Sequence, residues 1–174
     1  MIGVEPWMRG PLAGVEPLIQ PLLFSFQHAR EDLDAWTVDL TTPQLWERPF
    51  GLGPVGFHIR HAGGSIERLM VYAVGGQLSE EQIADMKSEM NPGASRDELL
   101  AQLEARFQAA EGRARALDVS AWTEPRYVGR KKLPTTLGGL ITHIAEHTQR
   151  HVGEAIITAK VVRAIAANGS VTQP

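Results

Sequence analysis

His143-Ile144-Ala145-Glu146-His147-Thr148-Gln149-Arg150-His151-Val152-Gly153-Glu154 opens the last long apolar-periodic segment of the chain and carries three of its six histidines, four residues apart. On a helix such a series climbs one side in successive turns, and an i,i+4 pair can share one metal ion. The surrounding stripe, Leu137, Ile141, Ile144, Thr148, Val152, Ala155, Ala159 and Val162, predicts a helix capped by Thr135 or Thr136 and running to about Ala167. Measured from the stripe centre, His151 lies roughly 50° away, His147 roughly 90° and His143 roughly 130°. His147 and His151 are therefore the pair that can face an interior, and His143 turns to the rim.

Three further helices are expected upstream. Val15, Ile19, Leu22, Phe26, Ala29, Leu33, Trp36 and Leu40 form a helical stripe from about Val15 to Leu40, its regular part beginning near Pro21 because proline suits a first turn. His28 lies beside that stripe as a partly exposed polar residue. Gln44 to Pro54 reads as a loop with one helical turn around Leu45-Trp46. Val55, Ile59, Ala62, Ile66, Leu69 and Ala73 define the second helix, Val55 to Val74, with Gly63-Gly64 inside it where another backbone or a ligand comes close or glycine is simply tolerated. Its His58 lies roughly 60° from the stripe centre and its His61 roughly 120°, on the flank of Ser65, Arg68 and Tyr72. By pattern alone His58 is the inward one.

Gly75 to Ala94 is a long connection that holds a short helix capped at Ser79 and ending near Met86. Ser95 and Glu98 form a capping box that starts the third helix, which runs to about Leu117 with Leu99, Leu103, Phe107, Ala110, Ala114 and Leu117 on one face. Asp118 to Pro134 is a loop containing Arg130-Lys131-Lys132. No strand pattern of comparable strength occurs. The expectation is an all-α four-helix bundle with a long crossover between helices 2 and 3, a single domain over residues 1–174 with its core at about 15–168, an irregular N-terminus and a polar C-terminal tail.

Composition narrows the chemistry. The 174 residues are 43% hydrophobic and 21% charged, with a net charge of -3 and dispersed basic residues, which gives no nucleic-acid surface. There is no cysteine, so a disulfide scaffold, a thiolate metal site and a cysteine nucleophile are all excluded, and any ion must be held by nitrogen and oxygen. The N-terminus, broken by Pro6, Pro11 and Pro17, lacks the features of a signal peptide, and no run reaches the ~20 apolar residues of a membrane span. A cytoplasmic location is expected.

A metal site inside a bundle draws its ligands from facing helices. His147, His151 and one of His58 or His61 would give three nitrogens with positions left open. Spacing alone leaves this level with the alternative of hydrogen-bonded polar residues at a helix edge. His147-Thr148-Gln149-Arg150-His151 is a less specific signal than a metalloprotease H-E-x-x-H, since Thr148 stands where the glutamate would be.

Gly56-Phe57-His58-Ile59-Arg60-His61-Ala62-Gly63-Gly64-Ser65, the His143 to Gly153 segment and a first helix carrying Phe24 and Phe26 together resemble the DinB/YfiT-like superfamily of bacterial metal-binding four-helix proteins, over nearly the whole chain. In that family a histidine heading an H-x-x-x-S segment of the second helix joins an H-x-x-x-H pair of the fourth to bind a divalent metal. The resemblance thus implies His61, His147 and His151 as ligands, against the preference of the stripe for His58. The family often follows its last histidine with Gly-Gln, where this chain has Gly153-Glu154. His58, His143 and Glu154 remain as candidate catalytic or ligand-orienting groups. The ion could be zinc, nickel, iron or manganese. The resemblance further implies a homodimer and a metal-dependent enzyme, first a transferase joining a low-molecular-weight bacterial thiol to an electrophilic small molecule. A metal-dependent hydrolase and a non-catalytic, stress-linked metal-binding or dimerising protein are the alternatives.

Overall fold

Several helices begin where a side chain satisfies one of their first backbone N–H groups. The computed structural model describes residues 3–169. Helix α1 spans Gln20–Thr37 with Pro21 in its first turn, and α2 is one turn, Thr42–Leu45, closed by a capping box between Thr41 and Gln44. Helix α3 spans Val55–Ala73, α4 spans Glu80–Ser88 and α5 spans Arg96–Arg115. The Ser79/Gln82 and Ser95/Glu98 pairs both form capping boxes. Helix α6 spans Leu137–Gly169, and the Thr136 hydroxyl accepts from the Gly139 N–H at its start.

The helical stripes become the core. Leu22, Phe26, Ala29 and Leu33 of α1 bury against Leu99, Leu103 and Phe107 of α5 and the Leu137–Val162 face of α6. Phe26 and Phe107 stack with ring centroids 4.7 Å apart, and the Arg30 guanidinium caps the Phe107 ring at 4.7 Å while pairing with Glu104 and Glu111. Trp36 departs from its stripe: it is 37% exposed and carries the Lys160 ammonium 4.2 Å above its ring. A ring at the end of a helix can leave the core when a cation covers its face.

Cross-helix pairs fix the directions. Arg60 Nη1 donates to the Asn91 carbonyl just before α5, and Arg106 pairs with Glu67, so α3 and α5 run parallel. Ser25 meets Gln149 and Asp39 meets Arg163, so α1 and α6 also run parallel. Gly53 meets Thr158 and His58 meets His151, so α3 and α6 are antiparallel. Two parallel neighbours joined in sequence need a return path, and residues 74–95 with α4 provide it along the side of α3.

One expectation is corrected. Pro125–Val128 (β1) and Leu133–Thr136 (β2) form an antiparallel hairpin in what the sequence reads as loop, with Gly129 and Lys132 at positive φ in its turn. No residue of either strand is fully buried: β1 alternates only between exposed and half-buried over four residues and β2 does not alternate, which is too short and weak a pattern to mark a strand. The hairpin leads into α6, and Trp122 beside it lies where a Cβ on Gly138 would stand.

Phe107→Ala should lower the free energy of unfolding by about 3–5 kcal/mol through the lost ring and the cavity left under Arg30. Urea denaturation measures this, and a loss below about 1 kcal/mol would show that the site collapses around the gap.

Candidate metal centre

The antiparallel seam of α3 and α6 brings His58 and His61 of one helix against His147 and His151 of the other. Ring centroids lie 4.5 Å apart for His61 and His151, 4.6 Å for His147 and His151, and 5.3 Å for His61 and His147. These three offer nitrogens all within 4.8 Å of one another, and each side chain is only partly buried. His58, His151 and Glu154 form a second such group, sharing His151 with the first. The two candidates on α3 are thus both brought to the seam, on opposite sides of His151. The apolar stripe identified the more buried one, His58 at 6% exposure, and the resemblance identified the one that joins both His147 and His151. A flanking position does not keep His61 out, because the cluster sits between the helices and not on the stripe.

The Nδ1 atoms of two rings are engaged away from the cluster. His61 Nδ1 lies 2.6 Å from Glu89 Oε2, and Glu89 Oε1 accepts from Arg68 at 2.6 Å. His151 Nδ1 lies 2.9 Å from Glu154 Oε2 and 3.1 Å from His58 Nδ1, while His58 also makes a backbone hydrogen bond with Gly53. His58 Nδ1 itself lies 3.1 Å from Glu154 Oε2, so the Glu154 carboxylate stands against both Nδ1 atoms and can accept from either ring. His143 stands at the rim, 44% exposed, with its Nδ1 3.1 Å from Glu146 and its ring 5.2 Å from His147.

The cluster disfavours charge on its own members. Burial pushes His147 down to about 4 and His151 down to about 3, and neighbouring imidazoles, His61 foremost, add to both shifts. Burial also lowers His58, against the opposing pull of Glu154. Near neutrality these rings therefore hold free lone pairs, the form in which imidazole binds a metal. Three imidazole nitrogens, partly open to solvent and from two helices, fit a divalent ion with positions left for another ligand.

Gly63 and Gly64 have separate reasons. A Cβ on Gly63 would press on Leu103 and Arg106 of α5, and one on Gly64 would collide with Glu89 Oε1 and Arg68. The close approach is that of side chains, and not of another backbone or a ligand as the sequence suggests. Arg68 already shares a flank with His61 on the wheel, but Glu89 carries no signal in the sequence: it follows a short polar helix and reaches His61 from 28 residues away.

Between the ordinary 6.5 and their lowered values, His147 and His151 take up protons in the unfolded chain and not in the folded, ion-free protein. Stability should therefore fall as pH drops from 6.5 toward about 4. Thermal unfolding of ion-free protein across this range tests it, and His147→Asn/His151→Asn should flatten the decline. An unchanged slope in that variant would place the pH dependence elsewhere.

The DinB superfamily model matches residues 25–155, which include all four histidines of the seam. No curated protein sequence matches the chain. Among solved structures, YfiT from Bacillus subtilis, described as a probable metal-dependent hydrolase with an unusual four-helix bundle topology, superposes with a TM-score of 0.61 at 15% identity, covering 87% of this chain and 91% of that one. At that identity the likeness speaks for the fold. The family match, over a span reaching from α1 into α6, makes this chain a member of the DinB superfamily.

Proposed function

We propose that this protein is a metal-dependent enzyme in which His61, His147 and His151 hold one divalent ion, and that it transfers a low-molecular-weight thiol to an electrophilic small molecule. The observation that carries the catalytic reading is the partial exposure of all three histidines: a purely structural centre would be sealed by side chains, and these rings remain open to a small ligand. When bound, the ion supplies Lewis-acid charge that lowers the pKa of a coordinated thiol or water. Three neutral nitrogens do not single out zinc, nickel, iron or manganese.

The residues around the cluster divide the remaining work. Glu154 and His58 hold His151 by its Nδ1, so Glu154 is directed at a ring and not at a reacting group. His143, exposed and backed by Glu146, is the group placed to accept the proton that a thiol releases. A cavity of about 390 Å³ beside His58 and Glu154, with Leu52 and Ile157 as apolar walls and Arg150 at its edge, offers room for the electrophile.

Hydrolysis is the second reading. It is favoured by the likeness to YfiT, described as a probable metal-dependent hydrolase. Against it, Glu89 is buried with both oxygens engaged, and Glu154, the other carboxylate in contact with these histidines, is held at the Nδ1 of a ring through Oε2. Glu154 is thus the one carboxylate left to act as a base for water.

Protein purified without a histidine tag should contain stoichiometric divalent metal by mass spectrometry. His61→Ala, His147→Ala and His151→Ala should each lose it, while His143→Ala keeps it and loses turnover. Unchanged metal in the three alanine variants would sink the site. With metal present, thiol-dependent consumption of an electrophile is expected from a panel of bacterial thiols, and ester or amide cleavage without any thiol would instead establish the hydrolase.

A further inference from the structure

Glu89 is a charge in an unusual place. Helix α4 buries none of its own residues, yet Glu89 at its C-cap is only 4% exposed. Burying a carboxylate is costly unless each oxygen finds a donor. Here each does: Oε1 takes Arg68 Nη1 and Oε2 takes His61 Nδ1, both at 2.6 Å. Three positions of α3 hold it there. Gly64 leaves the space that any Cβ would fill, and Arg68, itself 8% exposed, supplies the counter-charge. Arg60, stacked on Trp46 at 4.8 Å, donates to the Ser88, Glu89 and Asn91 carbonyls and pins the end of α4 to α3.

We infer that Glu89 is a positioning residue of the metal centre: it accepts the Nδ1–H of His61 and so fixes the tautomer whose Nε2 lone pair faces His147 and His151. This rests on the reading of those three histidines as the ligands. A histidine that binds metal through one nitrogen commonly donates the other N–H to a carboxylate, and loss of such a partner weakens metal binding about 10- to 100-fold. The rival account is an ion pair that merely ties α4 to α3.

The two oxygens separate these accounts. In Glu89→Gln only one oxygen remains. Arg68, which has donors and no acceptor, claims it. The amide NH₂ then faces His61 Nδ1 and drives the ring proton to Nε2, blocking the ligand atom. Adding Arg68→Met frees the amide to turn its oxygen back to His61. A structural tie predicts the double variant to be the worst of the series, whereas tautomer control predicts that it recovers.

The test uses ion-free full-length protein and zinc alone, in competition with a chromophoric chelator. Glu89→Gln should bind zinc about 10- to 100-fold more weakly than the parent, and Glu89→Gln/Arg68→Met should regain most of that loss. Histidine-selective 15N NMR of the ion-free proteins should place the His61 proton on Nδ1 in the parent and on Nε2 in Glu89→Gln. Parental zinc affinity in Glu89→Gln, or a double variant weaker than the single, would overturn the proposal. If Glu89→Gln does not fold, Gly64→Ala displaces the carboxylate without changing any charge. It should show the same loss of affinity, and parental affinity there overturns the proposal equally. A parent that binds no zinc, or a His147→Ala variant that keeps it, would instead defeat the underlying site, and the NMR proton position would still report on Glu89.

Discussion

Four imidazole rings meet where α3 packs antiparallel to α6, and none can take up a proton without facing its neighbours. That constraint governs the surroundings. His147 and His151 are desolvated enough to stay neutral near pH 7, yet with His61 they are open enough for a small molecule to reach. Outer carboxylates engage the Nδ1 atoms of three of these rings, Glu89 at His61 and Glu154 at His151 and His58. The result is a basic, uncharged cluster inside a bundle whose remaining core is hydrocarbon and stacked phenylalanine.

The topology serves the same seam. Because α3 and α5 run parallel, the chain must travel back along α3 between them, and α4 lies on that path. A connection of this length costs only slightly more loop entropy than a shorter one, since the penalty grows with the logarithm of length. In return the end of α4 reaches the flank of His61, where Arg60, Gly64 and Arg68 receive it. The crossover thus completes the site as well as the connectivity. The Gly63-Gly64 pair, locally unfavourable in a helix by about 1 kcal/mol per residue, is explained by contacts on two sides, α5 and Glu89.

Much of this was legible because helical periodicity is a strong local signal. The stripe residues of α3, α5 and α6 are nearly all buried, with Leu69 and Leu117 only partly so, and the Ser79 and Ser95 caps start their helices where expected. The hairpin at 125–136 was not legible, because its two four-residue strands bury no residue fully and only β1 alternates, between exposed and half-buried. Trp36 follows its stripe in sequence and leaves it in space because Lys160, far along the chain, covers its ring.

The amino-acid sequence by itself determined the four long helices, the absence of any cysteine ligand or cysteine nucleophile, and the i,i+4 histidine pair on an inward-turning side of the last helix. These are local facts, set by the 3.6-residue period and by side-chain type. Only the tertiary structure shows that His61 lies within reach of both members of that pair while His58 lies with His151 and Glu154, because a flank residue comes to the seam once a second helix lies against it. It alone also brought in Glu89, since a carboxylate 28 residues from its partner meets it through the path of the chain and not through any spacing in the sequence.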